Sequence, residues 1–295
     1  MKETAATLAA APTRIADFLA LTKPRLNSLV VATAGVGYYL GATAPELATA
    51  LHVLVGSALV AGGAAAFNQV AERDLDEVMQ RTRLRPMAAG RITPIEGRLF
   101  AVTLSVAGLV ELMLRVNALT AAVALATLVS YAGIYTPLKR RTPWSTLVGA
   151  VPGALPPVIG WTAARGALTV EAWILFGIVF LWQLPHFHAL SWLYRDDFTR
   201  AGLPLVATRD PDGRRTAAQA LLCTAALVPL SLTPTLVGMT GPQHVVVAGV
   251  LGVLFLALAV RFLVRRSEAR ARALFVGSLL YLPLFWISLL AGPGL

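Results

Sequence analysis

Long, nearly uncharged stretches alternate with short polar links along this chain. Windows of about 20 largely apolar residues, enough helix to cross ~30 Å of hydrocarbon, recur at 26–44, 47–67, 98–116, 117–136, 146–163, 170–194, 217–239, 244–264 and 273–291. The pattern predicts an all-α fold, a polytopic transmembrane bundle of about nine helices around a central cavity. The longest polar links, about 69–97 and 195–216, are too short for a core of their own, so residues 1–295 are expected to form one integral-membrane domain. The second window closes on the small residues Gly62 to Ala66, which let neighbouring helix backbones approach closely. The fifth carries Gly149, Pro152, Gly153, Pro156, Pro157 and Gly160, so its hydrogen-bond ladder should be interrupted more than once. A helix broken in this way belongs against protein or a water-filled chamber, because freed backbone groups cannot face acyl chains.

Composition excludes a water-soluble core as the reference state: 57% of residues are hydrophobic and only 14% charged. The net charge of +10 invites a nucleic-acid reading, but the positions of the basic residues exclude it. With nine spans, the N-terminal tail and the links after helices 2, 4, 6 and 8 share one side, and 23 of the 25 Lys and Arg fall there, Arg115 and Arg165 excepted. By the positive-inside rule that side is cytoplasmic, which puts residues 1–25 in the cytoplasm and the C-terminus outside. The tail is too polar for a cleaved secretory signal, and Glu3 and Asp17 interrupt any mitochondrial presequence, so a bacterial plasma membrane is expected before a mitochondrial inner membrane. A single cysteine, Cys223, excludes an intrachain disulfide and any cysteine metal cage.

The informative charges gather where the second window ends: Asn68, Glu72, Asp74, Asp76 and Glu77, then Arg81, Arg83 and Arg85 ahead of Pro86. If the helix continues past Asn68, then Asn68, Glu72 and Asp76 follow at i, i+4 and i+8 and make a column roughly 12 Å long on one face. One ion cannot touch every member. Hard oxygen donors in this arrangement suit Mg²⁺, which takes one or two carboxylates while substrate phosphate oxygens complete its shell. Asp74 points to another face, to solvent or to an arginine. Arg81 and Arg85 are read as bidentate grips on diphosphate oxygens, and Arg83, Arg91 and Arg98 as anchors of the cytoplasmic face. Pro86 should end or kink any helix that reaches it.

The run N-x3-E-x2-L-D-x2-M-x-R-T-x2-R-x4-G, from Asn68 to Gly90, resembles the signature of the intramembrane UbiA-type prenyltransferases. The resemblance implies a prenyltransferase domain in which Asn68, Glu72 and Asp76 bind Mg²⁺ that holds the diphosphate of an isoprenoid donor. Gln69 and Glu72 depart from the broader pattern N-D-x2-D-x3-D and narrow the resemblance to one branch. Trp182-Gln183-Leu184-Pro185-His186-Phe187-His188, followed by Asp197-Phe198, is similar to the branch that prenylates haem. Lys23-Pro24-Arg25 and Tyr135-Thr136-Pro137-Leu138-Lys139-Arg140 extend that likeness over most of the chain. It implies farnesyl diphosphate as donor and haem b as substrate, in haem biosynthesis for terminal oxidases. Asp197 becomes a further Mg²⁺ ligand, Lys139 and Arg140 become phosphate contacts, and His186 and His188 become haem contacts, to iron or to a carboxylate. The number of ions and any association with a haem A-forming enzyme are left open.

His186 and Asp197, eleven residues apart, share a helical face if the helix persists beyond Pro185. Asp210 and Asp212, in Arg209-Asp-Pro-Asp-Gly, read first as a turn. Three competing functions remain open: prenylation of a quinone precursor or other aromatic, a membrane transporter, and a haem-binding redox subunit. Against the transporter, the acids sit at a membrane end beside arginines, whereas coupling sites lie near the midplane. Against the redox subunit, His52 and His244 fall near the opposite surface from His186.

Overall fold

A computed structural model describes residues 13–292, among which every regular element is a helix. The expectations for residues 1–12 of the tail and for the extreme C-terminus, 293–295, lie outside the described residues. The helices are α1 (Arg14–Leu21), α2 (Pro24–Gly41), α3 (Leu47–Ala71), α4 (Arg73–Val78), α5 (Pro94–Arg115), α6 (Ala118–Leu128), α7 (Thr136–Leu138), α8 (Ser145–Ala154), α9 (Pro156–Arg165), α10 (Val170–Leu193), α11 (Arg195–Arg200), α12 (Arg214–Leu236), α13 (Gln243–Val264) and α14 (Glu268–Leu290). Eight spans are long and apolar enough to cross a membrane, with 118–138 and 145–165 each counted as one. The remaining predicted span, α2, has 18 residues, about 27 Å of helix. It misses that standard because Arg25, Asn27 and Ser28 occupy its first turns.

α10, α12, α13 and α14 pack in sequence, and α14 closes back on α10 to make a four-helix group. α2, α3, α5, α6 and α9 make the second group, in which α3 lies along α5 and α2 crosses α9. The crossing depends on glycine: a Cβ on Gly160 would strike the Ala34 carbonyl, and one on Gly37 the Pro157 carbonyl. α8 and α9 join the groups through α10, whereas α14 meets α2 only over a short stretch.

Three local features differ from expectation. The fifth span breaks once, at Leu155, because Pro156 and Pro157 open α9, while Pro152 is accommodated inside α8. The fourth span widens into a π-helix at Val129–Tyr135. Pro137 follows after Thr136; its ring would meet the carbonyl four residues back in a regular α-helix, and the wider turn relieves that contact. Finally, part of the polar tail is itself ordered, as α1. Its Phe18 packs on Phe100 at 5.0 Å, its Asp17 is buried against Arg91, and Ile15 and Leu19 stay exposed one turn apart. A short helix with such a face suits the membrane interface.

Candidate functional site

The site grows from the end of α3. Asn68 and Gln69 lie within the last turn of regular helix, Glu72 caps it, and α4 restarts at once. Hydrogen bonds from Glu72 N to Asn68 O (2.9 Å) and from Asp76 N to Glu72 O (2.8 Å) carry the helical register across the joint, so the oxygen column forms. All three residues are buried. The chain then turns well before Pro86, with Thr82 Oγ1 donating to the Asp76 carbonyl at 3.1 Å.

Each member of the column faces a cation. Lys23 Nζ donates to Asn68 Oδ1 at 2.7 Å, Lys139 Nζ to both Glu72 oxygens at 3.0 Å, and Arg85 Nη1 to the Asp76 oxygens at 2.9 and 2.8 Å. Burial opposes ionisation of Glu72, yet the Lys139 and Lys23 ammonium groups beside it hold its carboxyl below the usual range. Enclosure, with the Arg85 guanidinium beside it, pushes the Lys23 ammonium down to about 7. An anion placed beside these cations would offset the cost of their burial and their mutual repulsion.

The second loop reaches the same place. α10 runs straight through Pro185 to Leu193, breaks at Tyr194, and α11 carries Asp197 into contact with the Arg81 backbone N–H at 3.4 Å. Arg200 pairs with Asp197, and the Arg81 guanidinium lies 5.3 Å from the centroid of the Tyr194 ring. Between Gln80, Arg81, Tyr194, Asp197 and Arg200 lies an open cavity of about 450 Å³.

The break at Tyr194 separates His186 from Asp197. His186 turns to α14, where Nδ1 meets Ser278 Oγ at 2.8 Å; the ring stacks on Trp182 (5.6 Å) and packs at a tilt against Phe275 (4.7 Å). His188 is buried. Arg140 closes the end of α3 through the Ala71 carbonyl (2.7 Å) and lies 3.9 Å from the exposed Asp74. Arg91 is more than an anchor, since its Nε bonds both oxygens of buried Asp17 at 3.0 Å. Asp210 accepts from Thr216 N and Oγ1 at 2.7 and 2.8 Å, as a turn residue should. His244, far from this end, is satisfied by Ser288 Oγ and the Ser231 carbonyl, a packing role.

Sequence reasoning assigned no role to Lys23, Thr136, Tyr194 or Arg200. Thr136 Oγ1 accepts from Asn68 Nδ2 at 3.3 Å and donates to the Tyr131 carbonyl at 2.9 Å, so the π-helix delivers it to the column. The signal available for Lys23 and Thr136 was their presence in the two short flanking motifs. Among the described residues no three carboxylate or imidazole groups converge on one point. A cation here would take one or two protein oxygens and complete its shell from a ligand, the mode of Mg²⁺ with phosphates.

Residues 29–289 match the sequence profile of the UbiA prenyltransferase family. A protein of Solibacter usitatus named protoheme IX farnesyltransferase is 46% identical over 290 residues, 95% of this chain and 99% of its own. A structure concerning digeranylgeranylglyceryl phosphate synthase in membranes superposes with a TM-score of 0.80 at 15% identity, covering 94% of this chain and 98% of that one. A UbiA homolog from Archaeoglobus fulgidus bound to GPP and Mg2+ does so with a TM-score of 0.65 at 17% identity, covering 92% and 99%.

Proposed function

The chain belongs to the UbiA prenyltransferase family, and from that membership we propose that it transfers the farnesyl group of farnesyl diphosphate to a vinyl group of protohaem IX (haem b), forming haem O. One observation carries the donor side of this reading: buried Asn68, Glu72 and Asp76 form an oxygen column, faced by Lys23, Lys139 and Arg85. The acceptor rests on near full-length likeness to a protein named for that reaction.

Among Asn68, Glu72, Asp76 and Asp197, one or two oxygens at a time would hold Mg²⁺, which when bound would neutralise the departing diphosphate. Arg81, Arg85 and Lys139 grip the remaining phosphate oxygens, with Arg140 at the rim, and so favour cleavage of the C1–O bond. The electron pair leaves with the diphosphate, the haem vinyl group bonds to farnesyl C1, and water captures the resulting cation and loses a proton. A hydroxyethylfarnesyl side chain results. Ser278 Oγ fixes His186 through Nδ1 and leaves Nε2 for haem iron or a propionate; His188 is the second haem contact. The Trp182 ring, stacked on His186, steadies positive charge near the acceptor.

The whole chain acts as one membrane domain, with the site at the cytoplasmic surface of a bacterial plasma membrane. The side from which the propionates and diphosphate approach is then also the basic one. The test is to incubate purified protein with haem b, farnesyl diphosphate and Mg²⁺. A product heavier than haem b by one hydroxyfarnesyl addition, lost on chelation, supports the reading; prenylation of a quinone precursor with haem b untouched would replace the acceptor.

A further inference from the structure

Gln69 sits beside Asn68 yet takes no part in the oxygen column. It is 1% exposed, and its Nε2 donates to the Ala20 and Leu21 carbonyls at 3.1 and 3.0 Å. Its Oε1 has no partner among the described residues, so the amide serves as a donor. The two carbonyls it holds end α1, immediately before the turn that carries Lys23.

That turn is unusual. Lys23 has φ 48° and ψ 58°, and among the described residues no other non-glycine has a positive φ. A left-handed lysine persists only where its surroundings enforce the conformation. Here Lys23 N bonds the Ala20 carbonyl (3.2 Å), Asn27 Nδ2 bonds the Thr22 carbonyl (2.6 Å), and Gln69 holds the carbonyls of Ala20 and Leu21. From that turn the ammonium reaches Asn68 Oδ1. Adjacent residues of α3 thus grip one turn twice, Asn68 by its lysine side chain and Gln69 by its backbone.

We propose that Gln69 is a positioning residue that locks the α1–α2 turn so that Lys23 points into the diphosphate subsite beside Asn68. The inference rests on the prenyl diphosphate reading above. It also explains the departure from the acid that the broader pattern has at this position: a carboxylate has no N–H to give and would set negative charge against two carbonyl oxygens, whereas a carboxamide supplies two hydrogens.

The test is a double-substitution cycle read in ligand binding. Wild type, Gln69→Leu, Lys23→Met and the double variant, each checked by thermal unfolding in detergent, are titrated with a non-hydrolysable farnesyl diphosphate analogue and Mg²⁺. Each single variant should bind roughly tenfold more weakly, and the double no more weakly than Lys23→Met, because residues acting as a unit are non-additive. Losses that multiply in the double variant, or unchanged binding by Gln69→Leu, would overturn the proposal. Hydrogen exchange over residues 20–27 tests the turn without any ligand: it should quicken in Gln69→Leu and Gln69→Glu, and unchanged exchange in both Gln69 variants also overturns it. Failure of wild type to bind the analogue, with that exchange pattern intact, would count against the diphosphate reading instead.

Discussion

Asp76 shows how one residue type serves both fold and chemistry. Fully buried, it accepts two hydrogen bonds from Arg85 and its carbonyl accepts one from Thr82, so its backbone shapes the loop while its carboxylate neutralises a guanidinium. On the proposed mechanism the carboxylate is needed for the metal-bound diphosphate, and the loop is kept by the backbone. Asp76→Ala and Asn68→Ala should each lower turnover at least ~100-fold, the scale of losing one preorganised electrostatic contact, while the protein still inserts and purifies as wild type. Full activity of either variant with Mg²⁺ would remove these residues from the metal site. The column could be read in the sequence because helical period alone aligns Asn68, Glu72 and Asp76. Of its counter-charges, Arg85 and Lys139 could be named from the sequence as phosphate contacts, but not the pairings: Lys23 is 45 residues from Asn68 and Lys139 is 67 from Glu72, and only tertiary packing decides which basic residue meets which oxygen.

Among the elements, the spans were legible and the joints were not. Hydropathy marks where helix must continue across lipid, but the extra width of Val129–Tyr135 follows from a steric conflict at Pro137 that periodicity does not register. α1 escaped because its apolar face is only two turns long and its Asp17 looks like a surface charge. That residue is buried against Arg91, whose Nη2 also holds the Leu84 carbonyl of the arginine-bearing loop. Arg91→Ala should therefore destabilise the protein by about 1.5–3 kcal/mol, the value of hydrogen bonds to a charged group, with faster proteolysis of residues 14–21 as the local sign. At the start of α12 the loop charge is Asp210. Burial raises its carboxyl pKa, but the hydrogen bonds from Thr216 outweigh that and hold it below the ordinary value. Since the folded pKa is depressed, its stabilisation is present above about pH 4 and is lost as pH falls through the folded value. Thermal midpoints of wild type and Asp210→Asn should differ at pH 6 and converge towards pH 3; a gap that does not narrow would refute this assignment.

For the molecule as a whole, the charged groups that surround the oxygen column and Asp197 lie at one end of the bundle. α3, α10 and their loops bring Asn68 to Arg85 and Tyr194 to Arg200 to that end, while the opposite ends of α5 and α9 carry only Arg115 and Arg165 as basic residues. Charge asymmetry and site placement thus make a single statement about orientation: if the basic links are retained in the cytoplasm, the diphosphate enters from the cytoplasm as well. Two exposed positions separate the alternatives, Leu84 in the site loop and Leu236 at the far end of α12. With Cys223 replaced by serine, a membrane-impermeant maleimide applied to intact cells should label Leu236→Cys and spare Leu84→Cys, with the pattern equalising once the cells are opened. Labelling of Leu84→Cys alone in intact cells would invert the bundle and place the diphosphate site on the far side, against the orientation set by the basic links, so this topological result bears directly on where the donor must enter.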